Sequence, residues 1–289
     1  MVDATRSPAP GRELAARGRE GRAAARLEAS GSLFPLEAHA WAGAGSRLQP
    51  GGSGPDAPAR ASGRARSWHQ PSRLASCEGQ RGFVSDPPYR IVSERLVIRC
   101  WEPQDAPLLK EAIDSSLDHL RRWMPWARAE PQELFEKVAL LRRFRGQFDL
   151  GRDFVMGIFD LGERDVLGGT GLHKRRGSDA LEIGYWIRAS HVGRGLATES
   201  SAALTRVAFE LCDVDRVEIR IDPANEASLT IPRKLGFVEE GILRRRLPPD
   251  EDGVPRDAIV FSLFRDGFAG SPSFSAPVQA FDAGGERRL

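Results

Sequence analysis

The chain has 289 residues, with 42 Lys or Arg against 40 Asp or Glu, and a formal net charge of +2. This near equality of positive and negative charges does not indicate a nucleic-acid partner, because binding to phosphate backbones requires a concentrated positive field. The three cysteines, Cys77, Cys100 and Cys212, are too widely spaced for a disulfide framework or a zinc site, so no metal is predicted. No apolar run reaches the ~20 residues of a transmembrane helix. We therefore expect a cytoplasmic protein with no membrane partner.

Composition divides the chain into three parts. Residues 1–88 contain no Lys and are rich in Arg, Ala, Gly and Pro. Such a segment cannot bury enough apolar surface to offset its ordering entropy, so it is predicted to be disordered. A second interpretation is that it is not natural coding sequence and that the true start lies near Val84. Residues 89–268 have the size of one domain, and residues 269–289 are predicted to form a disordered tail.

Hydrophobic periodicity predicts the elements of the folded part in chain order. The predicted strands are 95–101, 154–160, 166–173, 181–187, 217–221, 237–247 and 257–264, and the predicted helices are 105–113, 116–123, 131–148, 196–211 and 225–235. The third helix has Leu134, Val138, Leu141 and Phe144 on one apolar face. Helices and strands alternate, but the late strands follow one another directly. This order predicts an α/β (α+β) fold with a mixed sheet rather than a wholly parallel one.

A glycine-rich turn lies between the strand Ile183–Ile187 and the helix that begins at Leu196. Its sequence is Gly193-Arg194-Gly195, which opens several backbone N–H groups toward one point in the positive field of a helix N-terminus. This pattern is typical of phosphate binding. A dinucleotide site would require a third glycine, where this chain has Thr198, and an acidic residue at the end of the next strand. That alternative is therefore disfavoured.

Seven short motifs in a fixed order indicate a family. They are Ser93-Glu-Arg-Leu-Val-Ile-Arg99, Arg122-Trp-Met-Pro-Trp126, Glu182-Ile-Gly-Tyr-Trp186, Gly193-Arg-Gly-Leu-Ala-Thr-Glu199, Arg216-Val-Glu-Ile-Arg220, Asn225-Glu-Ala-Ser228 and Lys234-Leu-Gly-Phe-Val-Glu-Glu-Gly241. From Tyr89 onward the chain resembles the GNAT N-acetyltransferase superfamily, in the branch typified by ribosomal-protein N-terminal acetyltransferases. The resemblance implies a mixed, mostly antiparallel sheet of six to seven strands, with a splayed central strand pair and flanking helices.

The resemblance also implies an activity, the transfer of an acetyl group from acetyl-CoA to a primary amine. A protein N-terminal α-amine is the preferred acceptor, because the resemblance is to the branch that modifies proteins. Such an amine, with a pKa of about 7.7–8.0, also requires less of a base than a lysine near 10.4. A small-molecule amine such as an aminoglycoside, a polyamine or an amino acid is the alternative acceptor. A non-catalytic acyl-CoA-binding sensor is the alternative of another class. The expected assembly is a monomer or a homodimer.

The resemblance places ten residues at the cofactor, on the strand end, the turn and two helix starts. They are Ile187, Val192, Gly193, Arg194, Gly195, Leu196, Ala197, Thr198, Asn225 and Ser228. Val192 stands where the family usually has Gln or Arg. We therefore expect the backbone of the turn, rather than a leading side chain, to hold the pyrophosphate.

Two residues are the catalytic candidates. Glu182 is the expected general base, and its structural alternative is an ion pair with an arginine. Ser228 is expected to approach the CoA sulfur, and its alternative is a hydroxyl bonded to its own helix. Asn225 is expected to tie the strand end to the cofactor or to cap its helix. His173 is a weaker candidate for the base, as is His191.

The acceptor groove is expected between residues 119–126 and the loop 248–256. Trp123 and Trp126 are predicted to line it, with packing against the sheet as the alternative. Asp250 and Asp252 either attract a cationic acceptor or form a solvated loop tip.

Overall fold

The computed structural model describes residues 85–174, 179–250 and 252–289, which form one sheet with helices packed on it. The strands are β1 (Arg90–Val92), β2 (Leu96–Cys100), β3 (Phe154–Asp160), β4 (Val166–Lys174), β5 (Ala180–Ile187), β6 (Arg216–Ile221), β7 (Val238–Leu247), β8 (Arg256–Phe264) and β9 (Gln279–Phe281). The helices are α1 (Ala106–Asp114), α2 (Leu117–Trp123), α3 (Leu134–Asp149), α4 (Leu196–Glu210), α5 (Glu226–Lys234) and the short α6 (Arg265–Phe268). All predicted elements are present, with small shifts at their ends.

The sheet runs in the order β7-β8-β6-β5-β4-β3-β2-β1-β9. Neighbouring strands are antiparallel except β5 and β6, which are parallel. These two strands pair only from Ala180 to Glu182 against Arg216 to Glu218. Beyond Glu182 they part, which confirms the predicted splayed pair in a mixed, mostly antiparallel sheet. The sheet has nine strands within the described residues rather than six to seven, because two short strands extend one edge.

The carboxyl-terminal segment differs from its prediction. Residues 279–281 form β9, which pairs antiparallel with β1, and Ala280 is fully buried. Ser273 is also buried, in a 3-10 turn that precedes β9. The prediction of a disordered tail is therefore wrong, because backbone pairing and small buried side chains stabilise a segment whose composition resembles a linker.

The amino-terminal boundary also differs slightly from its prediction. The backbone N–H of Ser85 donates to the Cys212 carbonyl at 3.1 Å, and Pro87 and Pro88 are buried. The packed part of the chain thus includes residues 85–88. Residues 1–84, and with them the hypothesis of a start near Val84, lie outside the described residues.

Side chains alternate between the two faces of the sheet and form two apolar clusters. On one face Ile98, Met156 and Ile183 pack with α4 and α5. On the other face Val97 and Val155 pack with α1 and α3. Helices thus pack on both faces of the sheet, and this packing holds β5, α4 and α5 in fixed positions.

The apolar face of α3 is rotated from its prediction. Leu141 and Phe144 are buried as expected, but Leu134 is 44% exposed. Lys137 is fully buried in its place, and its ammonium group forms an ion pair with the buried Glu130 carboxylate. The charge is tolerated there because a carboxylate satisfies it.

Candidate active site

A cavity of about 530 Å³ opens beside the splayed strands. Its walls are the end of β5, the glycine turn, the first turns of α4 and α5, and α2. Nine of the ten residues predicted to contact the cofactor line it; Arg194 does not. The fold therefore brings together residues that are more than 40 positions apart in sequence, with Ile187 and Ser228 at the two ends of the range.

The glycine turn has the backbone conformation that its sequence requires. Gly193 and Gly195 have φ values of +75° and +79°, in the left-handed region that favours glycine. The first backbone hydrogen bond within α4 runs from the Glu199 N–H to the Gly195 carbonyl, at 3.0 Å. The N–H groups that precede it at the start of a helix are available to an external acceptor. A diphosphate is the ligand that suits such a group of donors.

A carboxylate clamp fixes the turn to the rest of the sheet. Glu199 accepts hydrogen bonds from the Ser93 hydroxyl at 2.8 Å, the Arg95 N–H at 2.8 Å and the Arg95 Nε at 2.7 Å. The same Arg95 donates to the Arg194 carbonyl at 3.0 Å. These contacts support the turn from outside the cavity, and the side chain of Val192 is 46% exposed at the cavity rim.

The start of α5 carries the second set of predicted residues. The Asn225 side chain accepts a hydrogen bond from the Ser228 N–H at 3.2 Å, so Asn225 caps the helix. Both residues also line the cavity. The capping interaction and a role at the cavity are therefore compatible.

Tyr185 is a cavity residue that the sequence reasoning did not single out. Its hydroxyl is buried beside Ser228 but has no well-aligned hydrogen bond in the described part of the chain. Burial raises the pKa of Tyr185 above its ordinary value of 10.0, and the nearby Ser228 opposes this rise. The phenol therefore stays protonated at physiological pH. The alternation of side chains along β5 could have identified Tyr185 from the sequence, since Ile183, Tyr185 and Ile187 share one face of the strand.

Glu182, the predicted base, does not line the cavity. It lies in the paired part of β5, where its carboxylate contacts Arg220 Nε at 3.2 Å. Because side chains alternate along a strand, Glu182 points to the face opposite Tyr185. The structural alternative, an ion pair with an arginine, is what the structure contains. His173, the weaker candidate, is buried and contacts Asp153 through Nδ1 at 2.7 Å.

His119, the first residue of the predicted groove wall 119–126, lines the cavity, although no role as a base was predicted for it. Burial lowers its pKa from the ordinary value of 6.5, so the imidazole is neutral at neutral pH. His191 also lines the cavity, and burial lowers the pKa of this imidazole too.

The two predicted groove tryptophans have different positions. Trp123 lines the cavity, with the Arg122 guanidinium 4.8 Å from its ring centroid. Trp126 packs edge-on against Trp186 at a centroid distance of 6.0 Å and does not line the cavity. For Trp126 the packing alternative therefore fits the structure.

The predicted loop wall 248–256 does not line the cavity, but it contacts a residue just beyond the other predicted wall, 119–126. Arg128 donates to the Pro249 carbonyl at 2.6 Å, which joins the segment after α2 to the loop between β7 and β8. Asp250 accepts hydrogen bonds from the backbone N–H groups of Asp252 and Val254 at 3.0 and 2.8 Å. This carboxylate therefore shapes its own loop.

Helix N-terminal donors beside two diverging parallel strands form a site that suits a ligand with phosphate groups. A sequence model of one family, described as the GNAT acetyltransferase domain, matches residues 95–238. The "Putative ribosomal N-acetyltransferase YdaF" of Bacillus subtilis (strain 168) is 30% identical over 175 residues, which cover 60% of this chain and 93% of that protein. The [Ribosomal protein uS5]-alanine N-acetyltransferase of Escherichia coli (strain K12) is 28% identical, over 63% of this chain and 94% of that enzyme.

A solved structure shares the fold. Mycobacterium smegmatis RimJ, in complex with CoA-disulfide, superposes with a TM-score of 0.58 at 23% identity, over 65% of this chain and 94% of that chain. The chain belongs to the GNAT acetyltransferase family, and it is an N-acetyltransferase. No helix in the described ranges has the length and apolar character needed to cross a membrane.

Proposed function

We propose that the protein transfers an acetyl group from acetyl-CoA to the α-amine of a protein N-terminus. The observation that carries this proposal is the cavity at the end of β5, beside the point where β5 and β6 part, with the donors of the glycine turn, Tyr185 and Ser228 in its lining. The names of two relatives refer to ribosomal acetylation, which supports a protein acceptor and a cytoplasmic location.

The residues present fit acetyl-CoA. The N–H groups from Gly193 to Thr198 would hold the pyrophosphate through the backbone, because Val192 provides no polar side chain there. The unpaired edge of β5 from Ile183 to Ile187 would hold the pantetheine arm as an additional strand would be held. Bound acetyl-CoA supplies the acetyl group as an activated thioester.

Ser228 and Tyr185 are placed to serve the leaving sulfur. The Ser228 hydroxyl would donate a hydrogen bond toward the sulfur, and the Tyr185 hydroxyl would in turn donate to the Ser228 oxygen. The Tyr185 hydroxyl keeps its proton near neutral pH, because burial raises its pKa further above that range. A donor held in a buried site stabilises developing negative charge more strongly than one in water.

His119 replaces Glu182 as the proposed proton acceptor. Its neutral imidazole faces the same cavity and can take a proton from the incoming amine, directly or through one water molecule. An α-amine with a pKa of about 7.7–8.0 requires only a weak base. This requirement favours an N-terminal acceptor over a lysine side chain.

The test is release of free thiol from acetyl-CoA in the presence of a panel of amines. The panel contains peptides with a free N-terminus, the same peptides with a blocked N-terminus and one internal lysine, polyamines, aminoglycosides and free amino acids. We expect turnover with the free N-terminal peptides and none with their blocked counterparts. Turnover only with small amines would contradict the proposed acceptor. Tight acetyl-CoA binding with no turnover on any amine would instead indicate the non-catalytic sensor.

A further inference from the structure

His191 lies in the connection between β5 and α4, two residues before Gly193. It is the last residue of a 3-10 turn, and its half-buried side chain lines the cavity beside Val192 and the glycine turn. The Ser190 hydroxyl contacts Nδ1 of the imidazole at 2.9 Å. Within the described ranges no hydrogen bond uses the other ring nitrogen, Nε2. The imidazole is therefore oriented through one nitrogen and can offer the other to a ligand.

The surroundings of His191 are mainly positive. Burial and the nearby guanidinium groups of Arg194 and Arg188 lower the pKa of His191 from its ordinary value of 6.5, and the Asp165 carboxylate acts in the opposite direction. In the free protein the imidazole is therefore neutral at neutral pH. A positive field that disfavours an imidazolium attracts an anion to the same place.

The two neighbouring guanidinium groups do not line the cavity. Arg188 forms an ion pair with Glu111, and the Arg194 carbonyl accepts a hydrogen bond from Arg95 at 3.0 Å. Of the charged or titratable side chains in the connection 188–195, only His191 lines the cavity. The other titratable or charged groups in the lining lie on α2, β5 and α5, and they are His119, Arg122, Tyr185, Glu226 and Lys234.

We propose that His191 binds the diphosphate of CoA through Nε2, as an imidazolium. This inference rests on the proposed function, because it takes acetyl-CoA as the cofactor. Val192 has no polar side chain at the position where the family usually has Gln or Arg, and His191 supplies a side-chain donor from the preceding residue. The imidazolium and the backbone N–H groups of the glycine turn then bind one anion from adjacent positions, and the bond from the imidazolium is charge-assisted.

This contact links cofactor binding to protonation. A bound diphosphate favours the charged form of His191, so the pKa of this imidazole rises in the complex and the protein takes up a proton as the cofactor binds. The affinity therefore falls as the pH rises from the pKa of the free protein to that of the complex, and it is constant on either side. The backbone donors of the turn do not titrate, so they add no such dependence.

The experiment is calorimetry of the full-length protein with dephospho-CoA, which keeps the diphosphate but lacks the 3′-phosphate that itself titrates near neutral pH. Binding heats measured near pH 6.5 in two buffers of different ionisation enthalpy give the number of protons taken up. We expect the wild type to take up on the order of 0.5 proton. Its dissociation constant should rise about tenfold or more between pH 5.5 and pH 8.5.

Two substitutions separate the charge of His191 from its shape. His191→Gln keeps a neutral donor, so it should take up no proton, bind about tenfold more weakly than the wild type at pH 5.5 and bind equally at pH 8.5. His191→Arg carries a permanent charge, so it should take up no proton and bind tightly at both pH values. His119→Gln makes the matched change in the other cavity histidine and should take up a proton as the wild type does. Thermal unfolding should show that all three variants fold.

Equal proton uptake in the wild type and in His191→Gln would overturn the proposal. So would a wild-type affinity for dephospho-CoA that is the same at pH 5.5 and pH 8.5. If uptake that depends on His191 occurs with CoA but not with dephospho-CoA, the contact is with the 3′-phosphate and the diphosphate assignment is wrong. A wild type that binds neither CoA nor dephospho-CoA would contradict the proposed function itself, which distinguishes the two failures.

Discussion

Two parts of the cavity, the proposed cofactor end (193–198 and 225–228) and the proposed acceptor wall (α2), are built in different ways. The cofactor end depends on backbone conformation within those two short stretches, which sequence motifs identify directly. The position of α2 depends on contacts with other segments, such as the Ala189 N–H with the Ser116 hydroxyl and Arg121 with the Glu130 carbonyl. The contrast indicates that the conformation of the glycine turn is encoded locally, whereas the position of α2 is encoded in packing between segments.

The largest expected effect is a loss of folding stability from a substitution next to the acceptor wall. Lys137→Met leaves the buried Glu130 carboxylate without its cation, which typically costs about 3–5 kcal/mol in the free energy of unfolding. Glu130 also bears on α2, because its carbonyl accepts a hydrogen bond from Arg121 at 2.7 Å. Chemical denaturation should detect the loss, and the KM for the acceptor should rise while acetyl-CoA affinity stays constant.

Two controls separate the buried charge from other causes. Lys137→Met combined with Glu130→Gln should recover much of the stability, because no unpaired charge remains. Lys110→Met removes an exposed partner of Asp114 and should change the free energy of unfolding little, because solvent screens this pair. Equal losses in the single and double variants would show that packing, not charge, explains the effect.

Removing the hydroxyls inside the cavity should affect turnover rather than cofactor binding. Ser228→Ala should lower kcat about 30- to 100-fold and Tyr185→Phe about tenfold, because each weakens hydrogen bonding at the leaving sulfur. Tyr89→Phe is the matched control, since Tyr89 is the chain's other tyrosine and its hydroxyl donates to Asp149 at 2.8 Å outside the cavity. Steady-state kinetics on a peptide acceptor would check the ranking, and full activity in Ser228→Ala would remove Ser228 from the mechanism.

The pH dependence of kcat should reveal His119. Burial lowers the pKa of this imidazole, so the base is neutral and competent above pH 6.5 and becomes protonated only at lower pH. On the alkaline side kcat should stay level to about pH 9.5, because burial raises the pKa of Tyr185 above 10.0. His119→Gln should lower kcat about tenfold and abolish the acidic limb. An acidic limb that survives in this variant would assign it to another group.

The sequence predicted the elements of the cofactor end because each depends on neighbouring residues. Glycines at 193 and 195 permit a left-handed turn, and Asn225 is a preferred helix cap. β1 and β9 were missed because strands of three residues carry no periodicity. Glu182 remains a prediction for the base, although alternation along β5 places it on the face opposite Ile187. The position of His119 in the groove wall was predicted from the resemblance, but its burial was not, because burial depends on how α2 packs on the sheet.

A smaller effect is expected from the shape of the glycine turn. Gly193→Ala should weaken CoA binding about tenfold, because a left-handed φ costs a residue with a Cβ roughly 1–2 kcal/mol and the turn relaxes away from it. Gly285→Ala is a matched control, since its φ is +80° and a new Cβ has open space at both positions. The control should lose similar stability but keep its affinity for CoA, as measured by calorimetry. Equal affinities in the two variants would mean that the turn does not hold the cofactor.

The smallest effect should come from the clamp behind the turn. Glu199→Gln keeps the shape of the side chain but weakens its bonds to Ser93 and Arg95, which orient the turn from outside the cavity. We expect the dissociation constant for CoA to rise about three- to fivefold, as is typical when a partly exposed ion pair is lost. Glu210→Gln breaks a comparable pair with Arg206 at the other end of α4 and should leave CoA binding unchanged. Equal affinities in these two variants would show that the backbone of the turn holds its shape without support from the Glu199 side chain. The conformation of the cofactor end would then depend on its own residues alone.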